Sequence, residues 1–309
     1  MQKYLLVIAA LLGIASCGGN KVNNSWLSDD DVRVAVDESF QAVMDEAFDT
    51  FGKTHPEASM KPLYCSEDSA IRLLVADSLR SIVVTRKLTE QEQKIIKSHH
   101  LAAQQAYIAT DAFALVVNKA NTDTIITLDE VKGIVQGRIT KWSQIARAKK
   151  SEELQLVFDK SGSSTVRFMK DSLCGGQDLK GNVYAQGSVA AVLDMVKSNP
   201  DVIGVVGTDW LRSGNDAVLK DFDHLDVNVM YVQKEANTYH RQPYQYYIGT
   251  GEYPLCRGVY AITTDPRTRS QEKYLYFFLK GQQGQRIFCD YSQLLPAMQV
   301  QVRQVNITD

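Results

Sequence analysis

From residue 32 onward the chain switches repeatedly between two periodicities, and that switching limits the possible folds more than any other feature. Apolar runs of strand length occupy 32–36, 81–85, 106–109, 112–118, 154–158, 202–206, 227–232 and 259–263. Between them lie stretches whose apolar residues recur every three or four positions, at 40–51, 70–78, 128–136, 166–173, 191–199 and 273–281, together with a charged helix at 89–99. Strand and helix periods taken in turn predict α/β layers on mainly parallel sheets. A chain of 309 residues exceeds what one hydrophobic core readily serves, so two lobes are expected. With 44% hydrophobic and 23% charged residues, the chain is not a disordered tail, a coiled coil or a collagen-like fibre. Its formal net charge of −2 creates no field for nucleic acid or acidic lipid, so any anion chemistry must be local.

The N-terminus carries a separate message. MQKYLLVIAALLGIASCGG starts with a cation at Lys3, continues through the apolar run 4–14 and closes on Ala15, Ser16 and Cys17. That run is about half of the ~20 residues that cross a bilayer, which predicts an export signal and not a membrane span. Small residues directly before a cysteine resemble the lipobox of bacterial lipoproteins, whose cysteine carries the lipid. The resemblance implies a signal peptide over 1–16, lipid attachment at Cys17 and a small polar tether over 17–29. The protein is then expected on the periplasmic side, touching membrane through lipid alone. An ordinary secretory signal with an incidental Cys17 is the alternative.

Metal and cofactor chemistry find no support. His55, His99, His100, His224 and His240 show no ligand spacing, and the adjacent His99 and His100 point in different directions on a helix. Cys65, Cys174, Cys256 and Cys289 are too few for a disulfide framework in so long a chain, although Cys256 and Cys289 fall in segments expected in one lobe and could pair.

In open α/β sheets ligands lie beyond the carboxyl ends of strands, where helix N-termini point outward. Three strand-to-helix turns carry hydroxyls there: Ser39, Ser69, and the run Ser163, Ser164 and Thr165 after Gly162. A helix N-terminus offers free N–H groups and partial positive charge, which suit an oxyanion. Ser and Thr are equally good as plain N-caps. Three consecutive hydroxyls exceed what capping needs, which makes 162–165 the leading site candidate.

Six blocks in order resemble the periplasmic phosphate-binding protein family that serves ABC importers. DESF (37–40) is similar to the family's first loop, which binds through a hydroxyl and the next amide, here Ser39 and Phe40. ATDAFALVVNKANTDTIITLDEVKGIVQGRITKWSQI (109–145) is similar to the interlobe strand, its helix and a G-x-I-x-x-W element. GSST (162–165) resembles the G-S-G-T phosphate loop, and NPDVIGVVG (199–207) with YPLCRGVYAITTD (253–265) resembles the late strands. FFLKGQQGQRIF (277–288), followed by LLPAMQV, is similar to the C-terminal helix and its loop. The resemblance implies a monomeric two-lobed periplasmic binding protein fold of type II with a hinge. Lobe one would be 30–110 plus 256–309, and lobe two 111–255. Phosphate or a related oxyanion would bind between them and pass to an ABC transporter permease.

The chain departs from that pattern at its charged positions. Asp159 stands where the family usually has an arginine, four residues before the loop serine, and Thr85-Arg86 replaces a common Ser-Asp. The expected Gly-Ser-Gly loop reads Cys65-Ser66-Glu67-Asp68-Ser69, so its serine falls on Glu67, or on Ser66 with a one-residue shift. These swaps suggest that Arg86 clamps the oxyanion while Asp159 or Glu67 accepts a phosphate proton, which would reject sulfate. Asp159 as a strand-end turn former and Arg86 as a solvated helix-start residue is the alternative. Arg167, a further cation, is expected to face solvent.

Enzymatic readings lack their residues. GSSTV is not G-x-S-x-G, no G-x-G-x-x-G follows a strand, and the histidines fall in no motif turn. A hydrolase is thus disfavoured, whereas an anion-sensing lipoprotein without a transporter stays open. Tyr239, Tyr244, Tyr246, Tyr247 and Tyr253 are expected to pack on a lobe more than to stack on sugar, and Trp142 and Trp210 to fill core.

Overall fold

A computed structural model describes residues 32–211, 222–235 and 238–301. The expected signal peptide, Cys17 and the tether lie outside them. Among the described residues no helix is long and apolar enough to cross a membrane.

The chain begins with β1 (Val32–Asp37), a short 3-10 turn and α1 (Gln41–Thr54), then β2 (Met60–Cys65), α2 (Glu67–Val75), β3 (Ser81–Val84) and α3 (Glu90–Ser98). β1 pairs in parallel with β2 on one side and β3 on the other. Its alternate residues serve two layers. Val34 and Val36 pack with Phe40 of the 3-10 turn and Val43, Met44 and Phe51 of α1, while Ala35 packs with Ala70, Ile71 and Leu74 of α2. A strand buried on both faces in this way reads as an unbroken apolar run, as 34–36 does.

β4 (Gln104–Asn118) is one strand of 15 residues, where the sequence reads as two strands separated by Thr110 and Asp111. The polar pair interrupts the apolar pattern without interrupting the ladder. The N-terminal part of β4 pairs antiparallel with β12 (Cys256–Thr263), which also borders β3. From Phe113 onward it pairs with β8 (Val202–Gly207). β4 thereby carries the sheet from one lobe into the other.

The second lobe repeats the layered plan. β5 (Ile125–Thr127), α4 (Leu128–Val135), β6 (Gln155–Phe158), α5 (Ser164–Leu173), β7 (Val183–Ala185) and α6 (Val189–Ser198) lead to β8. β6 pairs in parallel with β7 and β8. Leu115, Leu156, Phe158 and Ile203 face a core containing Trp142, whereas Ala114, Val116, Val157 and Val206 face α6. Gly204 sits on the α6 face, where a Cβ would come within 2.8 Å of Val196 and 2.9 Å of Val192. The helix can lie this close to the sheet only because that side chain is missing.

Further on, the run 227–232 divides. β9 (Val227–Val229) joins β4, while β10 (Tyr231–Gln233) joins β5 and β11 (His240–Arg241) in a separate small sheet. α7 (Gln245–Gly249) precedes β12, and β13 (Leu295–Pro296) closes on β4. The block expected to form one C-terminal helix is two, α8 (Gln271–Lys280) and α9 (Gln282–Tyr291). Gly284 explains the corner, because a Cβ there would lie 2.6 Å from the Leu279 Cα and 2.5 Å from the Phe278 carbonyl oxygen.

Other expectations need correction. Cys256 and Cys289 do not pair, and both are free thiols. Trp142 is core and its indole N–H donates to the Asp201 carbonyl at 3.1 Å, but Trp210 is 39% exposed and fills no core. The tyrosines divide likewise, with Tyr253 buried and Tyr239 and Tyr246 largely exposed.

Candidate functional site

Four segments meet where the lobes join. β1 ends at Asp37, whose Oδ1 accepts the Ser39 N–H at 2.9 Å and turns the chain toward α1. β6 ends at Phe158, and the loop beyond it enters α5 with Ser163 Oγ accepting the Val166 N–H at 3.3 Å. β8 gives way to Thr208, and at the crossing of β4 and β12 Arg257 stands opposite Asp111. Asp37, Ser39, Phe40, Asp111, Asp159, Ser163, Ser164, Thr165, Thr208 and Arg257 are all buried.

Arg257 ties these segments together. Its Nε donates to Asp111 Oδ2 at 2.8 Å and its Nη1 to Ser164 Oγ at 2.7 Å. The guanidinium carbon stands 4.3 Å from the ring centre of Phe113 and 5.4 Å from that of Phe40, so aromatic faces flank the charge. Ser164 Oγ in turn lies 3.4 Å from Ser39 Oγ, the point where the two hydroxyl turns touch across the lobes.

Four buried polar atoms here have no hydrogen-bond partner among the described residues: Arg257 Nη2, Asp37 Oδ2, Asp159 Oδ1 and Thr208 Oγ1. Leaving such an atom alone costs about 1–3 kcal/mol, more when it is charged, so a group of them at strand ends makes this junction the candidate site. Burial raises the Asp37 carboxyl above its ordinary range, with Arg257, Ser164 and Ser39 offsetting this only in part. Burial raises Asp111 as well, against the opposing pull of Arg257.

A second cluster spans the lobes beside the first. Ser66 Oγ caps α2 by accepting the Ser69 N–H, so the capping hydroxyl of this turn is Ser66 and not Ser69. Glu67, the first residue of α2, accepts the Thr85 N–H at 2.7 Å and the Thr85 hydroxyl at 2.6 Å. Arg167, from α5 of the other lobe, donates Nε to the same carboxylate and Nη2 to Thr85 Oγ1 at 2.8 Å. Arg167 therefore faces the opposite lobe and not solvent. Burial would raise the Glu67 carboxyl, but the Arg167 charge and the Thr85 hydrogen bonds outweigh it and hold the group below its ordinary range. At the rim, Lys160 Nζ binds both oxygens of Glu38 at 2.6 and 2.8 Å. An open cavity of about 350 Å³ lies beside Arg167, lined by Asp68, Ser163, Val166, Arg167 and Tyr184.

The expected site residues thus fall into groups. Ser39 meets Ser164 of the 163–165 turn, Phe40 presents its ring to Arg257, and Asp159 is buried at the root of that turn. Glu67 and Thr85 are engaged with each other and with Arg167. Arg86 is turned elsewhere, since both its terminal nitrogens bind Glu92, at 2.9 and 2.8 Å, in the first turn of α3. Glu92 also completes the capping box of that helix with Thr89.

Sequence reasoning missed Asp37, Asp111, Arg257 and Thr208. Two of them left a signal. Asp111 is an acid inside the buried part of the fifteen-residue β4, and Arg257 is a lone cation at the head of the apolar run of β12. A charge at a position that a strand buries calls for a partner, and each supplies the other's.

The PBP superfamily domain model matches residues 23–282. None of the curated proteins matches this sequence. Among solved structures, the chain is similar to an ABC-type phosphate transport receptor from Vibrio cholerae, at 21% identity over 86% of this chain and 100% of that one, with a TM-score of 0.66. A Clostridium perfringens substrate-binding protein assigned to phosphate ABC transport, solved with bound phosphate, is 18% identical over 87% of this chain and 100% of that one, with a TM-score of 0.68. PstS from Borrelia burgdorferi is also 18% identical, over 86% of this chain and 98% of that one, with a TM-score of 0.55. At these identities the likeness is one of fold, the two-lobed fold of periplasmic binding proteins.

Proposed function

The chain belongs to the PBP superfamily, and we propose that within it this protein is an extracytoplasmic solute-binding lipoprotein that captures phosphate or a similar oxyanion between its lobes. The observation that carries this reading is the buried junction of Arg257, Ser164, Ser39 and Asp37, with a guanidinium nitrogen and a carboxylate oxygen left unpartnered. A cation, two hydroxyl turns and the N-terminus of α5 together suit a compact tetrahedral anion. Opening the lobes would part Ser39 from Ser164 and expose both turns. Closing them around the anion would move it from water into a low-dielectric interior, where hydrogen bonds to it are stronger.

Ser39, Phe40, Ser163, Ser164 and Thr165 are the proposed ligand contacts, with Asp159 at the root of the second turn and Ser66, Glu67 and Thr85 beside them. We read 30–110 with 256–309 as one lobe and 111–255 as the other, a division supported by hydrophobic clusters that draw their residues from those segments. Delivery to an ABC permease fits the phosphate receptors that share the fold. Lipid attachment at Cys17 rests on the Ala-Ser-Cys sequence alone.

The test is a thermal-shift panel on the lipid-free protein in anion-free buffer, with phosphate, sulfate, molybdate and sugars. Ligand at about 100 times its Kd adds roughly 2.7 kcal/mol to stability, which moves Tm by several degrees. A rise with phosphate supports the reading. A rise with sugars alone, or with none of the anions, overturns it.

A further inference from the structure

Away from the lobe junction, a cavity of about 600 Å³ opens next to the paired strands β10 and β11. Lys234, Glu235, Tyr239, Arg241 and Glu252 line it, and none of them belongs to the junction or to the Glu67–Arg167 cluster. We infer that this cavity is a second binding site and that its ligand is a neutral carbohydrate. The tyrosine-rich stretch from 239 onward supplies the platform. The Arg241 guanidinium carbon stands 4.7 Å from the ring centre of Tyr239 and 4.4 Å from that of Tyr247, and Nε donates to Glu252 Oε2 at 2.6 Å. Tyr247 belongs to α7, where Tyr246 meets it edge-on at 5.3 Å. The arginine and the rings thus hold one another in place before any ligand arrives, which lowers the ordering cost of binding. Tyr239 nevertheless stays 76% exposed. A large ring steadied at the surface but left uncovered suits the apolar C–H face of a sugar ring.

The polar groups of the wall narrow the ligand class. The terminal nitrogens of Arg241 have no hydrogen-bond partner among the described residues, and neither has the Glu235 carboxylate. Lys234 Nζ donates to the Gly251 carbonyl at 2.9 Å and keeps further N–H groups to give. Glu252 Oε1 accepts the Thr250 hydroxyl at 3.1 Å. Donors and acceptors therefore stand side by side, as a molecule rich in hydroxyls requires, because each hydroxyl both donates and accepts. The formal charges of the wall cancel, Lys234 and Arg241 against Glu235 and Glu252. An anion would meet two carboxylates, a cation would meet two cations, and an apolar ligand would strand all four groups from water. A neutral polyol with one apolar face meets none of these penalties. The volume lies within the range of small-ligand sites.

Saturation-transfer NMR on the lipid-free protein tests this. The probes are the neutral tetramers of glucose, mannose, galactose and N-acetylglucosamine, with tetragalacturonate as an anionic comparison. Spectra are recorded with and without inorganic phosphate. At least one neutral tetramer is expected to bind with a Kd of about 1 mM or tighter, phosphate present or not, and tetragalacturonate to bind more weakly. Tyr239→Ala removes the platform, and Lys234→Met keeps the stem while removing the donors. Each is expected to weaken the tetramer about tenfold. Both positions are exposed, and circular dichroism checks that the variants fold. Binding of no neutral tetramer, tighter binding of tetragalacturonate, or affinity unchanged in either folded variant overturns the assignment. A tetramer signal that phosphate abolishes would put the sugar in the cleft and overturns it as well. All of these outcomes leave the oxyanion reading of the cleft to its own test.

Discussion

Arg167 reaches from α5 of the second lobe to the Glu67 carboxylate at the head of α2 in the first, and only 2% of that glutamate side chain is exposed. The carboxylate also receives both the backbone and the hydroxyl proton of Thr85. Glu67 thus behaves as an anion supplied by the chain itself, held as tightly as a bound one would be. With Lys160 on Glu38 at the rim, two ion pairs oppose separation of the lobes before any ligand contributes.

The first prediction concerns this latch. Glu67→Gln keeps the shape and loses the charge, leaving Arg167 opposite a neutral amide. Breaking a buried pair costs about 3–5 kcal/mol, and Arg167 is a quarter exposed, so the low end, about 3 kcal/mol, is expected in urea unfolding. Scattering from the free protein should also show a wider distribution of lobe separations. A variant as stable and as compact as the wild type would remove the latch from consideration.

The same pair fixes the sign of a pH effect. The Glu67 carboxyl is lower in the folded protein than in the unfolded chain, so its stabilisation is present above the ordinary glutamate range and lost as pH falls through the folded value. The stability gap between wild type and Glu67→Gln should therefore be full at neutral pH and close as the solution is acidified below that range. Denaturant midpoints measured across the acid range provide the check.

Much of this fold can be read from periodicity, and the reason is burial. Strands such as 34–36 and 202–206 are covered on both faces and stay apolar throughout, while helices such as α1 and α5 show the 3.6-residue stripe of one buried face. The misreadings occur where long-range packing decides. β4 looks like two strands because Asp111, the partner of Arg257, interrupts its apolar pattern, and 277–288 looks like one helix because only the tertiary approach of Gly284 to Leu279 reveals the corner. The site was half legible. Hydroxyl turns at Ser39 and Ser163 have a local signature, whereas Arg257 meets Asp111 across 146 positions of sequence, a distance that no local pattern spans.

Ser164 is the hydroxyl on which both lobes converge, since it accepts from Arg257 and lies beside Ser39. Ser164→Ala leaves Arg257 Nη1 without that acceptor and removes a candidate ligand donor. A phosphate Kd raised about tenfold is expected in calorimetry, in keeping with the loss of one charge-assisted hydrogen bond. The cap of α5 is Ser163, so helix content should not change. Unaltered affinity would place the anion away from this turn.

Close packing at Gly204 supports a purely structural prediction. A methyl group there meets Val192, Val196 and Val116 at 2.8 to 3.0 Å, which forces α6 away from the sheet. Overpacking of this kind costs about 1–3 kcal/mol. Gly204→Ala should lower Tm by a few degrees while leaving phosphate affinity within about twofold, because the contact lies on the face of the sheet away from the strand ends. Affinity that falls with stability would show that α6 helps to position the cleft.

The last prediction sets stability against recognition at Asp37. Its carboxyl is raised by burial, so the stability it contributes is fully present below the ordinary aspartate range and lost as pH rises through the folded value. Above that folded value the ionised Asp37 is therefore a burden on the folded state. Asp37→Asn keeps the hydrogen bond to Ser39 and removes the buried charge, so it should unfold at higher denaturant concentration than the wild type at neutral pH. That advantage should fade on acidification, as the wild-type carboxyl takes up its proton. Asp111 on β4, raised by burial and further by the Asp37 charge, is relieved in the same direction when that charge is removed and adds to the gain. A variant that is more stable and less able to tell phosphate from sulfate would show that the unpartnered oxygen is maintained for recognition, against the interest of the fold. A variant less stable than the wild type at neutral pH would instead mean that the Arg257 charge needs Asp37 as a structural partner.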